Sequence, residues 1–224
     1  ASVFCPEKYR RRGFAARMLQ LLDAELKNAK DVTFSVLFSD IGNRYYADMG
    51  WKVYPSKQLS VNVRTEPIFE TTDVEYLLAD DMKELVEQDC ALIRSEMLIH
   101  GMTTTRLTCA ILPTMEKYQW FFARQKLECR GPRKPVTHVG ARLTTGGGDL
   151  LPTRLSFVIW KVDYDKKILQ ILRLRYANKD CLHSLIQACE KTVALLELTK
   201  VVCWIRPEDD LSKDLSESAD VTER

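Results

Sequence analysis

Apolar residues recur along the chain with two different periods, and the change of period divides it. Phe14, Met18, Leu21, Leu22 and Leu26 repeat at helical spacing, with Gln20, Asp23, Glu25 and Lys27 between them. That pattern predicts an amphipathic helix over 13–30. Ahead of it, Val3, Phe4 and Cys5 form a short apolar run closed by Pro6, the signature of a strand. Residues 31–39, Asp-Val-Thr-Phe-Ser-Val-Leu-Phe-Ser, alternate at their start and are rich in strand formers, so a buried strand is expected. A short helix at 41–49 follows, capped by Ser39 or Asp40 and stopped at Gly50. Trp51, Val53, Leu59, Val61 and Val63 outline a broken pair of strands around Pro55.

Residues 65–75 read as a linker by composition. The helical period returns with Leu77, Leu78, Met82, Leu85, Val86, Ala91, Leu92, Ile93 and Met97, a helix over about 79–98 capped by Asp80 and Asp81. A further helix over 110–129 carries Ile111, Met115, Tyr118, Trp120, Phe121, Phe122 and Leu127, and Gly131, Pro132 and Pro135 close it. The period then becomes two. Strands are expected at 137–143, 155–164 and 168–176, the last two joined by the turn Asp165-Lys166-Lys167. A helix over 178–197 and a strand at 201–205 complete the pattern. From 208 onward the chain is acidic, serine-rich and poor in large apolar residues, and is expected to be disordered.

Composition narrows the classes. A chain of 224 residues with 46% hydrophobic content supports one large or two small domains. A net charge of +2 offers no bulk attraction to nucleic acid or membrane surfaces, and neither is expected as a partner. No apolar run approaches a membrane span, and no signal-peptide pattern opens the chain. The seven cysteines stand singly, without a Cys-x-x-Cys pair, and the three histidines are far apart. No metal site is therefore expected, and a reducing, cytoplasmic compartment is.

The chemistry concentrates where the first strand meets the first helix. Tyr9-Arg10-Arg11-Arg12-Gly13-Phe14-Ala15-Ala16 places three arginines and a glycine at a helix start. The first N–H groups of a helix have no internal partner, and its dipole favours an anion there. Glycine lets a ligand approach the backbone closely. Cations at this end oppose the dipole unless something anionic offsets them, so the stretch reads as a phosphate cradle.

Arg10-Arg11-Arg12-Gly13-Phe14-Ala15 resembles the Arg/Gln-x-x-Gly-x-Gly/Ala loop of the GNAT acetyltransferase superfamily, and Phe4-Cys5-Pro6-Glu7-Lys8-Tyr9 resembles its lead-in with one extra residue, Lys8. Tyr45-Tyr46-Ala47-Asp48-Met49-Gly50-Trp51 is similar to a second motif of that superfamily. The wording of both stretches is closer still to the fungal L-lysine N-epsilon-acetyltransferases of lysine catabolism. The resemblance covers about residues 1–64 and implies acetyl-CoA as cosubstrate. It places the backbone of Val3, Phe4 and Cys5 along the pantetheine and thioester. The pyrophosphate falls to Arg10, Arg11, Arg12, Gly13, Phe14, Ala15 and Ala16, with Arg17 adding charge. Tyr46 matches the tyrosine that protonates the thiolate, and a phenol is a proton donor at neutral pH. Ser39 and Asn43 are near in sequence without a firm match, and no general base is identified.

The implied fold is α/β (α+β), with residues 1–64 forming the C-terminal portion of a GNAT core. In that superfamily the first strand seen here lies mid-fold, so further elements are expected to precede Ala1. After the linker 65–75 comes a domain over 76–207, within which 137–205 has the order strand, hairpin, helix, strand of such a core, which suggests a second, degenerate GNAT-like domain. Tyr176-Ala177-Asn178-Lys179-Asp180 lacks the loop, so this domain would have lost the cradle. A tail at 208–224 completes the expected organisation. The implied activity is acetyl transfer to an amine, with free L-lysine favoured as the small-molecule partner. A protein or peptide amine, or CoA binding without turnover, are the alternatives. Other features read as structural: His100 and His138 as isolated histidines, Glu7 as a surface residue, and Trp120 to Phe122 as core. Gly146 to Gly148 reads as a surface loop, and Asp80, Asp81, Glu84 and Glu87 as a solvated helix face.

Overall fold

The structure is a computed structural model that describes residues 3–39, 41–42, 44–62, 73–105, 108–129, 134–144, 155–205 and 211, and the backbone of 219–223. Asp40 and Asn43, most of the expected linker (65–72), the turn at 131–132 and the Gly146–Gly148 loop lie outside the described residues. The chain divides into two compact units, Ala1–Pro55 and Ser56–Arg224.

The first unit contains a 3-10 turn at Glu7–Tyr9, helix α1 (Phe14–Asn28) and the short helix α2 (Arg44–Ala47). Leu19 is its buried hydrophobic residue, whereas Phe14, Met18, Leu21 and Leu22 on α1 are exposed. The two strands expected here do not form: residues 3–6 and 32–39 take no regular secondary structure. The physical reason is pairing. A strand needs a neighbour for its backbone groups, and neither stretch has one among the described residues. Phe34, Val36 and Phe38 are accordingly exposed rather than buried.

The second unit is built on a seven-stranded sheet with helices on both faces. Its strands are β1 (Lys57–Asn62), β2 (Val74–Leu77), β3 (Gly140–Leu143), β4 (Phe157–Asp163), β5 (Ile168–Arg175), β6 (Lys200–Ile205) and β7 (Ala219–Glu223). They lie in the order β2-β3-β4-β5-β6-β1-β7. Helices α3 (Lys83–Thr103) and α4 (Met115–Glu128) follow β2, and α5 (Lys179–Leu195) joins β5 to β6.

Alternation along β4 sorts the core into two layers. Phe157 and Ile159 pack with Leu85, Val86, Tyr118 and Phe122 of α3 and α4. Val158, Trp160 and Val162 pack with Leu182, Leu185, Cys189 and Val193 of α5. Period two on the strand and 3.6 on the helices produce this division. Beyond the end of β3, the Val162 N–H donates to the side-chain oxygen of Gln125 at 2.6 Å, tying α4 to the sheet. The Trp160 indole donates to the His138 carbonyl at 3.0 Å, so the backbone at His138 has a structural part.

Only one described pair in this sheet is parallel: β5 and β6, in register from Ile168↔Lys200 to Ile171↔Cys203. Their ladder stops there, although β5 runs on to Arg175 and β6 to Ile205. At the same level Ile159 faces Arg173 while Trp160 faces Ile171, so Leu172 is an extra, bulged residue on β5.

Two expectations are corrected at the ends of this unit. Strand β1, expected to close the first domain, pairs antiparallel with β6 and β7, and the division falls at Pro55/Ser56. The tail from 208 onward, expected to be disordered, supplies the buried Leu211 and strand β7, whose Val221 faces Leu59. Composition describes a segment in isolation. A paired neighbour with a free backbone edge recruits even a short, polar segment as a strand.

Candidate functional site

The expected phosphate loop forms a closed turn. Its 3-10 turn bonds Tyr9 N–H to the Pro6 carbonyl at 2.9 Å, and the Arg10 side chain donates from Nε to the Cys5 carbonyl at 3.1 Å. Arg11 and Gly13 have left-handed backbones, with φ of 61° and 79°. Left-handed residues in a turn help direct successive N–H groups toward a common point. Gly13 is the N-cap of α1 and has no side chain to cap it, and the first turn holds no acidic residue.

The first helical bond runs from Arg17 N–H to the Gly13 carbonyl at 2.9 Å. The N–H groups of Phe14, Ala15 and Ala16 therefore have no partner within the helix. A Cβ built on Gly13 meets nothing within 4 Å, so the space in front of these donors is open. The Arg12 guanidinium lies over the Phe14 ring at 5.0 Å, and Lys8 lies over Tyr9 at 4.8 Å. Arg11, Arg12 and Arg17 are exposed. The arrangement fits a phosphate: free backbone donors, the positive end of a 15-residue helix and several cations.

Beside the turn lies a cleft of about 330 Å³ lined by Phe4, Cys5, Pro6, Tyr9, Phe14, Ala15 and Met18. The structure thus brings four of the expected residues, Phe4, Cys5, Phe14 and Ala15, onto one apolar surface beside the uncapped helix start. Val3 is exposed and does not line it. Nor does Tyr46, which is half-buried on α2 and stacks edge-on against Tyr45 and Trp51, with ring centroids 5.2 and 6.2 Å apart. Trp51 in turn donates from its indole to the Ser35 hydroxyl at 3.0 Å. Ser39 is occupied locally, donating to the Gly42 carbonyl at 2.8 Å.

The corresponding junction in the second unit is the start of α5, and it is filled. The Asn178 side chain accepts the Cys181 N–H at 2.9 Å, and Asp180 places a carboxylate in the first turn. An anion there would meet a capped donor and a negative charge.

A buried ionic network was not anticipated from the sequence. Asp89 on α3 is 1% exposed. It accepts two bonds from Arg173 and one from Arg175, each at 2.8 Å, and Arg175 also bonds Glu96 at 2.7 Å. The Arg175 hydrogen bond holds the Glu96 carboxyl below its ordinary pKa. The signal was available: Asp89 falls on the apolar stripe of Met82, Leu85, Val86 and Cys90, where an unpaired carboxylate is costly. Trp120, Phe121 and Phe122, expected as core, divide: Phe122 is buried, while Trp120 is half exposed beneath the Arg124 guanidinium.

Among the described residues no group of His, Cys, Asp and Glu side chains is placed to hold a metal ion, and no helix is long and apolar enough to cross a membrane.

No curated protein matches the chain. Its fold is similar to the crystal structure of a GCN5-related N-acetyltransferase from Anabaena variabilis ATCC 29413, with a TM-score of 0.57 and 15% identity, covering 96% of this chain and 50% of that one. It is likewise similar to a GCN5-related N-acetyltransferase from Kribbella flavida, with a TM-score of 0.55 and 14% identity, covering 100% of this chain and 49% of that one. The chain thus spans about half the length of these structures, and the likeness establishes a mixed α/β fold of the GNAT type. The model of the LYC1 GNAT-like C-terminal domain matches residues 58–224, most of the chain and nearly all of its second unit. By that match the chain belongs to the LYC1 GNAT-like C-terminal domain family.

Proposed function

We propose that the chain is part of an acetyl-CoA-dependent N-acetyltransferase whose acceptor is an amine, the side-chain amine of free L-lysine being favoured. The observation that carries this reading is the uncapped start of α1 behind Gly13, with its apolar cleft. Family membership and the wording of the 1–64 stretch support it. Bound acetyl-CoA supplies an activated thioester. The N–H groups of Phe14, Ala15 and Ala16 hold the pyrophosphate, with Arg10, Arg11 and Arg12 adding charge that the helix end alone lacks. Gly13 keeps the approach open. Val3, Phe4 and Cys5 lie along the pantetheine, and the apolar faces of Phe4, Phe14 and Met18 exclude water from it. Tyr46 is the proton donor to the leaving sulfur. The second unit is a GNAT-like domain that has lost its own cradle: it has the parallel β5–β6 pair and the bulge at Leu172, but a capped α5.

The test is acetyl transfer to free L-lysine, with a lysine-containing peptide alongside, in a protein that carries this chain. Turnover on the free amino acid is expected. Turnover on the peptide alone would make the acceptor a protein amine. The packing of Tyr46 against Trp51, away from the residues lining the cleft, favours a second reading, CoA binding without turnover. That reading predicts acetyl-CoA binding with no transfer to either amine.

A further inference from the structure

The two units differ in what keeps them folded. Among the described residues of the first unit Leu19 alone is buried. Phe14, Met18, Leu21 and Leu22 of α1 are each about half exposed. The bonds of this unit are local: Lys27 pairs with Asp23 one turn away, Ser39 bonds the Gly42 carbonyl, and the Trp51 indole bonds Ser35. Among the described residues no hydrogen bond or ion pair joins α1 to residues 33–55. Helix α1 is rich in good helix formers, yet a 15-residue helix is marginal in water without a packed face. Its start weakens it further. The N–H groups of Phe14, Ala15 and Ala16 have no cap, and Arg11, Arg12 and Arg17 stand near the positive end of the helix dipole with no acid in the first turn. The second unit has none of these deficits. Every residue of its two core layers lies between Leu59 and Leu211, and α5 is capped by Asn178.

We infer that the loop and helix over residues 3–28 form a binding-coupled segment: α1 opens to solvent in the free chain, acetyl-CoA closes it, and residues 56–224 stay folded in both states. Resting on the acetyl-CoA reading of the α1 start, this adds a conformational step to it. Segments with few buried contacts open with free energies near zero, independently of global unfolding. One ligand meets all three deficits of α1. Its pyrophosphate accepts the free N–H groups and offsets the arginines. Its pantetheine arm covers the apolar walls of the cleft, among them the exposed faces of Phe4, Phe14 and Met18. A ligand that binds only the closed form shifts the opening equilibrium by its own binding free energy.

The test is hydrogen–deuterium exchange of the full chain, resolved by peptide, with and without acetyl-CoA. Acetyl-CoA affinity is measured calorimetrically on the same sample, and the ligand is then held at about a hundred times its Kd. Without ligand, the α1 amides should exchange close to the rates of an unstructured peptide. With ligand they should slow on the order of a hundredfold, while those of α5 and β4 keep the same rates in both states. Sodium chloride at matched ionic strength should change neither. Binding that leaves α1 exchange unchanged overturns this inference alone, and so does a free α1 as protected as α5. Slowing of α5 by the same factor also overturns it, because the two units would then open together. Equal slowing by the salt overturns it too, by making charge screening the cause. A chain that binds no acetyl-CoA overturns the acetyl-CoA reading and this inference with it.

Discussion

Helices α1 and α5 have starts of opposite chemistry, the first after a 3-10 turn and the second after strand β5. At α1 the N-cap is a left-handed glycine, no acid occupies the first turn, and three arginines precede the helix. At α5 an asparagine side chain occupies a free N–H, and Asp180 follows within the turn. The first start is left unsatisfied and positive, whereas the second is satisfied from within and partly neutralised. A helix whose only task is to fold gains from a cap. One that omits the cap and adds like charge gives up stability, and an external anion restores it.

The surroundings differ in the same sense. Helix α5 buries Leu182, Leu185, Cys189 and Val193 against a seven-stranded sheet. On α1 only Leu19 is buried. Chemistry and core are thus separated along the chain: residues 1–55 carry the candidate anion site with little core, and residues 56–224 carry the core without the loop.

The largest effect that sharpens this contrast lies in the second unit. Asp89→Ala leaves Arg173 without its buried carboxylate and should cost about 3–5 kcal/mol, read as a fall in the urea midpoint. A loss below about 1 kcal/mol would mean that the network behaves like a surface pair. Tyr46→Phe should lower turnover on the order of a hundredfold with acetyl-CoA affinity nearly intact, whereas a large affinity loss would make Tyr46 a binding or packing residue. Asn178→Ala should destabilise the chain by about 1 kcal/mol, and acetyl-CoA affinity should not follow.

The smallest effect is a pH dependence. The hydrogen bond from Arg175 lowers the folded pKa of Glu96. Its stabilisation is therefore fully present above the ordinary glutamate range and is lost as pH falls through the folded value. Wild type and Glu96→Gln should differ in thermal midpoint near neutrality and converge in acid. A gap that persists at low pH would show that the carboxylate's charge is not responsible.

Much of this could be read from the residues. The helices at α3, α4 and α5 and the β4–β5 hairpin follow from local periodicity, because their core-facing positions repeat within a few residues. The glycine and arginines of the α1 loop were legible because helix-end chemistry is local. What escaped depends on distant partners. Nothing within Lys57–Asn62 says that it pairs with Lys200–Ile205 rather than with a strand nearby, and Val221 acquires a role only because Leu59 stands opposite it. The run from Val32 to Phe38 has strand composition, yet composition cannot supply the neighbour its backbone requires. Nothing near Asp89 in the sequence identifies its partners, because its arginines lie more than 80 residues away.

The most direct test compares the two helix starts in one titration. Acetyl-CoA binding is measured calorimetrically for the unaltered chain, for Gly13→Asp and for Asn178→Ala. A carboxylate in the open space before α1 should weaken binding on the order of a hundredfold, while loss of the α5 cap should leave it unchanged. Equal affinity in the unaltered chain and Gly13→Asp would contradict the assignment of the anion site to the start of α1.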